Sequence, residues 1–376
     1  LTSRKSLALP MAIILILSIL AILPILPAHA AAGTVTLSSD KFSKKMLLQV
    51  TITDPDISDK ATAQLASARV EYGANVISLN MSQAVGGQWV CWLRIQGETV
   101  TPSTPPSWWW GNTTYAVNDI PEPSSGATVK VIYFDMSENA EVTASATYTT
   151  TKGSISLDRS TVPKDAKLRI VVTDPDMNID PTTADSIAGG NVTVNLKGGS
   201  YDYNYTKTLA QLGVSALSES GPNTGEFKAT LDLTNVPEDI NYDIKITYSD
   251  TTPTYTAETH VLVTATTAEI SLDKDTYMAN DTATVTLVEP DKNIDTTVKE
   301  TNSTALEVVV WSELPNGTKW DYVRGIKVEE TGKNTGIFTG SFKFVISTSK
   351  FGGANGTKPT VGVRHDTNCL LYTSPS

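Results

Sequence analysis

Short stretches of alternating apolar and polar residues recur along the chain after residue 33. The clearest runs from Tyr242 to Tyr248, with tyrosine or isoleucine at every second position and Asp243, Lys245 and Thr247 between them. This alternation predicts a strand with one buried face. Long helical periodicities are scarce, whereas Thr, Val and Tyr, which fit a pleated surface, are plentiful. The pattern therefore predicts an all-β fold.

An acidic stretch occurs three times at a fixed place in this pattern. The copies begin at Asp54, Asp174 and Glu289, and each lies 17 residues after a leucine of a short strand-like run. A glycine-rich turn recurs as Glu219 to Phe227 and Glu330 to Phe338, and a late strand that ends at Asp135 or Asp250 recurs as Val361 to Asp366. A shared spacing between divergent copies indicates one structural unit used three times.

Units of this length, with about seven short strands each, predict tandem immunoglobulin-like β-sandwiches. We place them at residues 33–150, 153–265 and 268–367, with the third lacking its closing strand. Residues 368–376 resemble read-through of a non-native sequence, and we predict no part for them in the fold.

The amino terminus has the pattern of a signal peptide over residues 1–30. Arg4 and Lys5 precede an apolar stretch from Leu7 to Leu26, and Ala28-His29-Ala30 offers a cleavage site. The alternative is an uncleaved membrane anchor, since the apolar stretch is long enough to span a bilayer. Both interpretations place the remaining chain outside the cytoplasm.

Charge and cysteine content narrow the class of protein. The net charge is −11 and no basic stripe is present, which argues against a nucleic-acid partner. Two cysteines cannot form a disulfide framework for an exported chain of 376 residues. Eight Asn-x-Ser/Thr sequons predict glycosylation. They lie at Asn80, Asn112, Asn191, Asn204, Asn280, Asn302, Asn316 and Asn355.

The acidic stretches are candidate calcium sites. In an immunoglobulin-like sandwich, the loop after the second strand and the end of the sixth strand lie at one pole. Calcium is bound by oxygens from carboxylates, amides and carbonyls. The alternative is that these side chains only cap backbone groups in a turn. The first copy is degenerate at Ser58 and Asp59. The predicted ligands are Asp174, Asp176, Asn178 and Asp180 with Asp250, and Glu289, Asp291, Asn293 and Asp295 with Asp366.

An aromatic cluster, Trp108, Trp109 and Trp110, lies in a Pro/Ser/Thr-rich loop. It could fold back over a sandwich, contact another protein, or stack on sugar rings. No nucleophile motif, zinc pattern or phosphate-binding loop is present, so we predict no enzymatic activity.

Three motifs together resemble archaeal surface-layer proteins, particularly those of ammonia-oxidising archaea. They are the opening strand Ser271 to Asp275, the acidic loop Glu289 to Asp295 and the turn Glu330 to Gly340. The resemblance implies an extracellular, glycosylated and calcium-dependent lattice protein that assembles with copies of itself. The alternatives are a surface adhesin or carbohydrate-binding protein, and the non-catalytic stalk of an exported enzyme.

Overall fold

The computed structural model describes residues 31–57, 68–84, 88–103, 116–198, 201–237, 241–278, 280–301, 308–350, 354–355, 360–363 and 368–373. The chain divides into two compact units, Leu1–Thr149 and Thr150–Ser376. Within the described residues, regular structure consists of strands and short 3₁₀ turns, and no helix is long and apolar enough to span a bilayer. The predicted all-β, immunoglobulin-like sandwich fold is confirmed. The predicted signal peptide lies outside the described residues.

The first unit contains two five-stranded sheets, in the orders β1-β3-β7-β6, with β8 beside β7, and β2-β10-β9-β4-β5. Leu48, Val50 and Ile52 of one sheet and Val129 and Val131 of the other share one buried core. The strands are β1 (Thr34–Leu37), β2 (Lys41–Phe42), β3 (Leu48–Thr53), β4 (Ala68–Tyr72), β5 (Asn75–Ser78), β6 (Ser82–Ala84), β7 (Gln88–Ile95), β8 (Val117–Ile120), β9 (Thr128–Asp135) and β10 (Ala140–Tyr148).

The second unit begins with two further five-stranded sheets, β11-β13-β18-β17-β14 and β12-β20-β19-β15-β16. Their strands are β11 (Ser154–Leu157), β12 (Thr161–Val162), β13 (Lys167–Thr173), β14 (Ser186–Ala188), β15 (Val192–Gly198), β16 (Tyr201–Thr208), β17 (Ala216–Glu219), β18 (Glu226–Asp232), β19 (Tyr242–Thr251) and β20 (Thr254–Val263). The alternation predicted between Tyr242 and Tyr248 is present in β19, whose Ile244 and Ile246 are fully buried. We call this part the second-repeat sandwich.

The remaining sheets of the second unit form the third-repeat sandwich around a separate core that includes Val285, Val310 and Phe338. Their orders are β21-β22-β26-β25, with β28 beside β26, and β27-β24-β23-β29. The strands are β21 (Glu269–Leu272), β22 (Thr282–Val288), β23 (Val308–Glu313), β24 (Lys319–Arg324), β25 (Glu329–Glu330), β26 (Ile337–Ile346), β27 (Ala354–Asn355), β28 (Thr360–Val363) and β29 (Asn368–Thr373). The three predicted domain boundaries stay a prediction.

Two expectations for the end of the chain differ from the structure. The late strand expected at Val361 to Asp366 is β28, which pairs in parallel with β26 rather than beside β23. The position beside β23 is taken by β29, from the segment that we expected to lie outside the fold. Cys369, Leu370, Leu371 and Tyr372 make this segment a good strand former. Local composition favours a strand in both segments but does not specify which strand pairs with β23.

Short 3₁₀ turns connect several strands of both units. They span Pro55–Ile57, Pro175–Met177, Gly189–Asn191, Ala210–Leu212, Leu233–Asn235 and Pro290–Lys292. The turns at Pro55, Pro175 and Pro290 each follow the strand before an acidic loop, as the repeat predicts. The acidic side chains therefore begin at the same structural place in every copy.

Candidate functional site: the acidic loops and their hydrogen bonds

Asp174 caps the turn that starts the acidic loop of the second repeat. Its backbone is extended and its Oδ1 accepts a hydrogen bond from the Asp176 N–H (3.0 Å), while Pro175 follows as the first turn residue. Its Oδ2 accepts a hydrogen bond from the Tyr248 hydroxyl (2.6 Å), and Asp174 is fully buried. Both oxygens of this carboxylate therefore already have a donor from the protein.

Two further carboxylates bind the backbone that enters the second-repeat sandwich. Asp250 accepts the Gly153 N–H at Oδ2 (2.8 Å) and the Thr252 N–H at Oδ1 (2.8 Å). Asp176 accepts the Thr151 N–H at Oδ2 (2.6 Å). Asp174, Asp176 and Asp250 thus come together with Tyr248 and Gly153, and we call these five residues the entry cluster. The predicted convergence of Asp250 with the loop holds for Asp174 and Asp176.

The same cluster is present in the first unit. Tyr133 donates to Asp54 Oδ2 (2.5 Å), and the Gly33 N–H donates to Asp135 Oδ2 (2.8 Å). The Ala31 N–H donates to Asp56 Oδ2 (2.9 Å). These bonds reproduce those of the second repeat atom for atom, although the first acidic loop is degenerate in sequence.

The third repeat keeps only part of this arrangement. The Thr266 N–H donates to Asp291 Oδ2 (2.8 Å), as in the other copies, but the side chain of Glu289 caps no backbone group. Ala268 occupies the position of Gly33 and Gly153. Asp366 lies outside the described residues. The opening segment is therefore held here by Asp291, and Glu289 replaces the aspartate of the Asp–Tyr pair.

Burial raises the pKa of Asp174 to about 6, and the nearby charges of Asp250 and Asp176 add to this effect, while the Tyr248 hydrogen bond opposes it. Since the pKa in the folded state exceeds the unfolded value, the folded chain binds the additional proton. The resulting stabilisation is complete below about pH 4 and is lost as the pH rises through about 6. The burial of Asp174 thus favours the neutral carboxyl.

We expect Asp174→Asn to remove this contribution. The stability of the variant relative to the natural chain should rise between pH 4 and 6.5, by up to about 3 kcal/mol. Urea unfolding across this range measures the difference, in which titrating groups that do not interact with Asp174 cancel. A difference that does not change with pH would contradict the assignment.

Asn178 and Asp180 belong to a second hydrogen-bond network. Asn178 Nδ2 donates to Asn223 Oδ1 (2.8 Å), and the adjacent Thr224 N–H donates to Glu219 Oε1 (2.7 Å). Glu219 Oε2 accepts the Asp185 N–H (2.8 Å). Asp185 Oδ2 in turn accepts the N–H groups of Ile179 (2.6 Å) and Asp180 (2.9 Å), which follow Asn178. The bonds therefore close a ring between the acidic loop and the glycine-rich turn, which we call the second-repeat ring.

The third repeat contains the same ring with different acids. Asn293 Nδ2 donates to Asn334 Oδ1 (2.7 Å), and the Thr335 N–H donates to Glu330 Oε1 (2.7 Å). Glu330 Oε2 accepts the Glu300 N–H (3.1 Å), and Glu300 Oε1 accepts the Asp295 N–H (2.7 Å). We call this the third-repeat ring. Glu300 thus has the place that Asp185 has in the second repeat.

The acids of the two rings were missed in the sequence. The glycine-rich turn was assigned only the role of supplying positive φ, which Gly225 (59°) and Gly336 (60°) do. Glu219 and Glu330 are the first residues of the two copies of that turn. Their shared position was the sequence feature that could have identified them as structural residues. Asp185 and Glu300 accept hydrogen bonds from equivalent positions of the two acidic loops, but they are different residue types, so the sequence repeat does not reveal the correspondence. Burial raises the pKa of Asp185, and burial with the adjacent Glu330 raises the pKa of Glu300 to about 7.

The acidic loop of the third repeat also docks on the second-repeat sandwich. Arg159 donates to the carbonyl oxygens of Asn293 (2.6 Å) and Ile294 (2.8 Å), and the Lys167 N–H donates to the same Ile294 carbonyl (2.8 Å). Thr296 donates to Asp158 Oδ2 (2.6 Å). These contacts join the two sandwiches of the second unit, and we call them the loop seam.

The described metal ligands predicted from the sequence do not form one site. Asp174, Asp176 and Asp250 lie in the entry cluster, Asn178 and Asp180 in the second-repeat ring, and Asn293 and Asp295 in the third-repeat ring, while Asp291 binds the opening segment of the third repeat. No group of three or more His, Cys, Asp or Glu side chains suited to a metal ion occurs within the part of the chain that the structure describes. The entry cluster fits the alternative interpretation, in which the carboxylates cap backbone groups. Calcium binding by the residues named from the sequence stays a prediction.

The other predicted sites are only partly within the described residues. Trp108, Trp109 and Trp110 lie outside them, as do Asn112 and Asn302. Four sequon asparagines are exposed, and Asn191 is half-buried. Asn355 forms part of β27. The exposed sequon asparagines are Asn80, Asn204, Asn280 and Asn316.

Comparison with known proteins identifies no family. No family model matches the chain, and no curated protein does. Similar solved structures include the Escherichia coli adhesin FdeC, with 12% identity over 83% of this chain and 88% of the adhesin at a TM-score of 0.23. They also include dimeric latent PorU of Porphyromonas gingivalis, with 11% identity over 91% of this chain and 33% of PorU (TM-score 0.22).

A further similar structure is the native E. coli alpha-2-macroglobulin, with 9% identity over 93% of this chain and 21% of that chain (TM-score 0.21). TM-scores this low do not establish a common fold for the aligned chains. The functional proposal therefore depends on the residues of this chain.

Proposed function

We propose that this chain is a structural component of an extracellular surface layer, in which tandem β-sandwiches assemble with copies of themselves. The observation that carries the proposal is the loop seam. One repeat presents an acidic loop, fixed internally by a ring of hydrogen bonds, and the preceding repeat binds the backbone of that loop through Arg159 and Lys167. Such a joint limits bending between neighbouring sandwiches, which a load-bearing lattice requires.

The use of the carboxylates supports a structural role over a catalytic one. Asp174, Asp250 and Glu219 each accept two or more hydrogen bonds from the protein. A general acid or base must instead reach a substrate atom. The predicted signal peptide and the exposed sequons suit a glycosylated protein of the cell surface. Divalent cations that neutralise the acidic loops would further stiffen the seams.

Electron microscopy of the purified chain, with millimolar calcium and with chelator, tests this function. We expect ordered arrays of the natural chain. Arg159→Glu should disorder them, because it removes the two Arg159 hydrogen bonds to the Asn293 and Ile294 carbonyl oxygens and places a like charge beside Asp158. Lys207→Glu, on the exposed face of edge strand β16, makes the same charge change away from the seam and should leave the arrays intact.

Single chains under every condition would contradict the lattice function. Arrays that are equally ordered with Arg159→Glu would show that the seam is not needed for assembly. An adhesin or carbohydrate-binding protein would instead stay monomeric and bind glycans through Trp109, which Trp109→Ala would abolish. A non-catalytic stalk would neither form arrays nor bind glycans.

A further inference from the structure

The outer face of the third-repeat sandwich carries three aromatic side chains on two neighbouring strands. Trp311 of β23 and Tyr322 of β24 lie directly opposite each other in the antiparallel register. Their Cβ atoms are therefore about 5 Å apart. Trp320 precedes Tyr322 by two residues on β24 and faces the same side. Asp321 and Val323, which alternate with these rings, are buried in the sandwich.

Each of the three rings has the cationic group of a lysine or arginine over it. The distances to the ring centre are 3.8 Å for Lys319 over Trp311, 5.3 Å for Lys350 over Trp320 and 5.4 Å for Arg324 over Tyr322. At the two longer distances the cation does not cover the whole ring, and Tyr322 is 41% exposed. We call these three rings and three cations the aromatic face.

The aromatic face concentrates positive charge on a chain whose net charge is −11. No ion pair joins Lys319, Arg324 or Lys350 to a carboxylate within the described residues. A cation over an aromatic ring is attracted only by the ring quadrupole, so it keeps its full charge for an anion. The aromatic face therefore offers three positive charges beside exposed ring surface.

The sandwich fold does not require this composition. The corresponding strands of the second repeat, β15 and β16, carry Thr193, Asn195 and Thr206 on their outward side. The outward positions of β4 in the first unit are Arg69 and Glu71. Since the sandwiches share their architecture but not these rings, the aromatic face serves a role specific to the third repeat.

We propose that the aromatic face binds an acidic saccharide, a chain of uronate sugars of the cell surface, with Tyr322 as the main stacking ring. The negative face of an aromatic ring attracts the C–H groups of a sugar ring. Lys319, Arg324 and Lys350 supply the charge-assisted hydrogen bonds that carboxylates of the saccharide accept. The predicted export of the chain favours a saccharide over a nucleic acid.

The size of the aromatic face also favours a saccharide over a protein. Strands β23 and β24 have six residues each. Two strands of this length present a patch of roughly 20 Å by 10 Å. A stable protein interface takes about 800 Å² from each partner, which is several times this area.

Isothermal titration calorimetry of the full chain with uronate oligosaccharides, in chelator and at low salt, tests the assignment. The probes are oligomers of galacturonate and of mannuronate. Their methyl esters, which keep the sugar rings and lose the charges, are the neutral comparison. We expect the natural chain to bind the acids about tenfold more tightly than the esters. The affinity for the acids should fall as salt is added.

Substitutions of exposed side chains separate the rings from the cations. Tyr322→Ala should weaken binding of the acids about tenfold, since the main stacking ring is lost, and Tyr322→Phe should retain it. Arg324→Gln should weaken binding of the acids but not of the esters. Tyr255→Ala is the matched control, because Tyr255 of the second repeat is 39% exposed and lies under Lys152 at 4.8 Å. Circular dichroism checks that each variant is folded.

The absence of binding to both acids would overturn the assignment, as would equal affinities for acids and esters. Loss of binding with Tyr255→Ala, or with Trp109→Ala but not with Tyr322→Ala, would place the saccharide elsewhere. Arrays that Tyr322→Ala disorders, without any bound saccharide, would make the aromatic face a contact between copies.

This inference goes beyond the lattice function and does not depend on it, because every group of the aromatic face belongs to one sandwich of one chain. Saccharide binding without arrays would contradict the lattice function and support the aromatic face. Arrays without saccharide binding would do the reverse.

Discussion

Glu219→Ala is expected to lower the free energy of unfolding of the second compact unit by about 3–5 kcal/mol. Glu219 is buried, and its two oxygens accept the N–H groups of Thr224, Gly225 and Asp185. Truncation leaves three backbone donors without a partner, and each costs about 1–3 kcal/mol if it stays buried. Relief of the repulsion on Asp185 offsets part of this cost.

The effect should extend from the turn to the acidic loop. Gly225 lies against Pro175, since a Cβ at Gly225 would be 3.1 Å from the Pro175 Cα. The Asp174 N–H also donates to the Gly225 carbonyl (2.8 Å). A turn that relaxes after the loss of Glu219 therefore releases two contacts of the loop.

Urea unfolding followed by circular dichroism measures the change, with Glu226→Ala as the matched control. Glu226 lies seven residues further along the same turn and strand, and its exposed carboxylate pairs with Lys228. Exposed ion pairs contribute little to stability, so this control should unfold close to the natural chain. Equal midpoints for Glu219→Ala and Glu226→Ala would show that the ring does not stabilise the sandwich.

The sequence predicted the features that local pattern determines. The alternation from Tyr242 to Tyr248 requires a strand with one buried face, and β19 has it. The repeated interval before Asp54, Asp174 and Glu289 placed the three loops after equivalent strands. Asp250 and Asp135 lie at the entry of their sandwiches because strand periodicity and immunoglobulin topology together determine where they end.

Features that depend on distant partners were not predictable in this way. Asp185 and Glu300 bind acids that lie 34 and 30 residues further along the chain. Nothing local indicates such a pairing. The exchange of β28 and β29 has the same origin, because both segments suit a strand and only the assembled sheets select between them.

Gly153→Ala is expected to lower the free energy of unfolding by about 2–4 kcal/mol. Its Cβ would lie 2.6 Å from Tyr248 Cε1 and 3.1 Å from Asp174 Oδ2. Both neighbours are buried and bonded to each other, so neither can move without breaking the Tyr248–Asp174 hydrogen bond. The cost is steric, because the backbone of Gly153 does not have a positive φ.

Thermal and urea unfolding of three glycine variants test this explanation. Gly190→Ala is the control, since a Cβ there meets nothing within 4 Å. Gly33→Ala should fall between the two, because its Cβ would meet Tyr133 Cε1 at 2.9 Å rather than 2.6 Å. A smaller side chain opposite the new methyl group should relieve the clash, so Gly153→Ala combined with Tyr248→Leu should cost less than the sum of the single changes.

The third repeat carries the natural version of this experiment. Ala268 occupies the glycine position, and the aspartate that would clash with it is replaced in sequence by Glu289. Two results would show that the entry cluster tolerates a methyl group. One is that the unfolding free energies of Gly153→Ala and Tyr248→Leu change additively in the double variant. The other is that Gly153→Ala and Gly190→Ala lose the same free energy of unfolding. The alanine of the third repeat would then be unrelated to the loss of the Asp–Tyr pair.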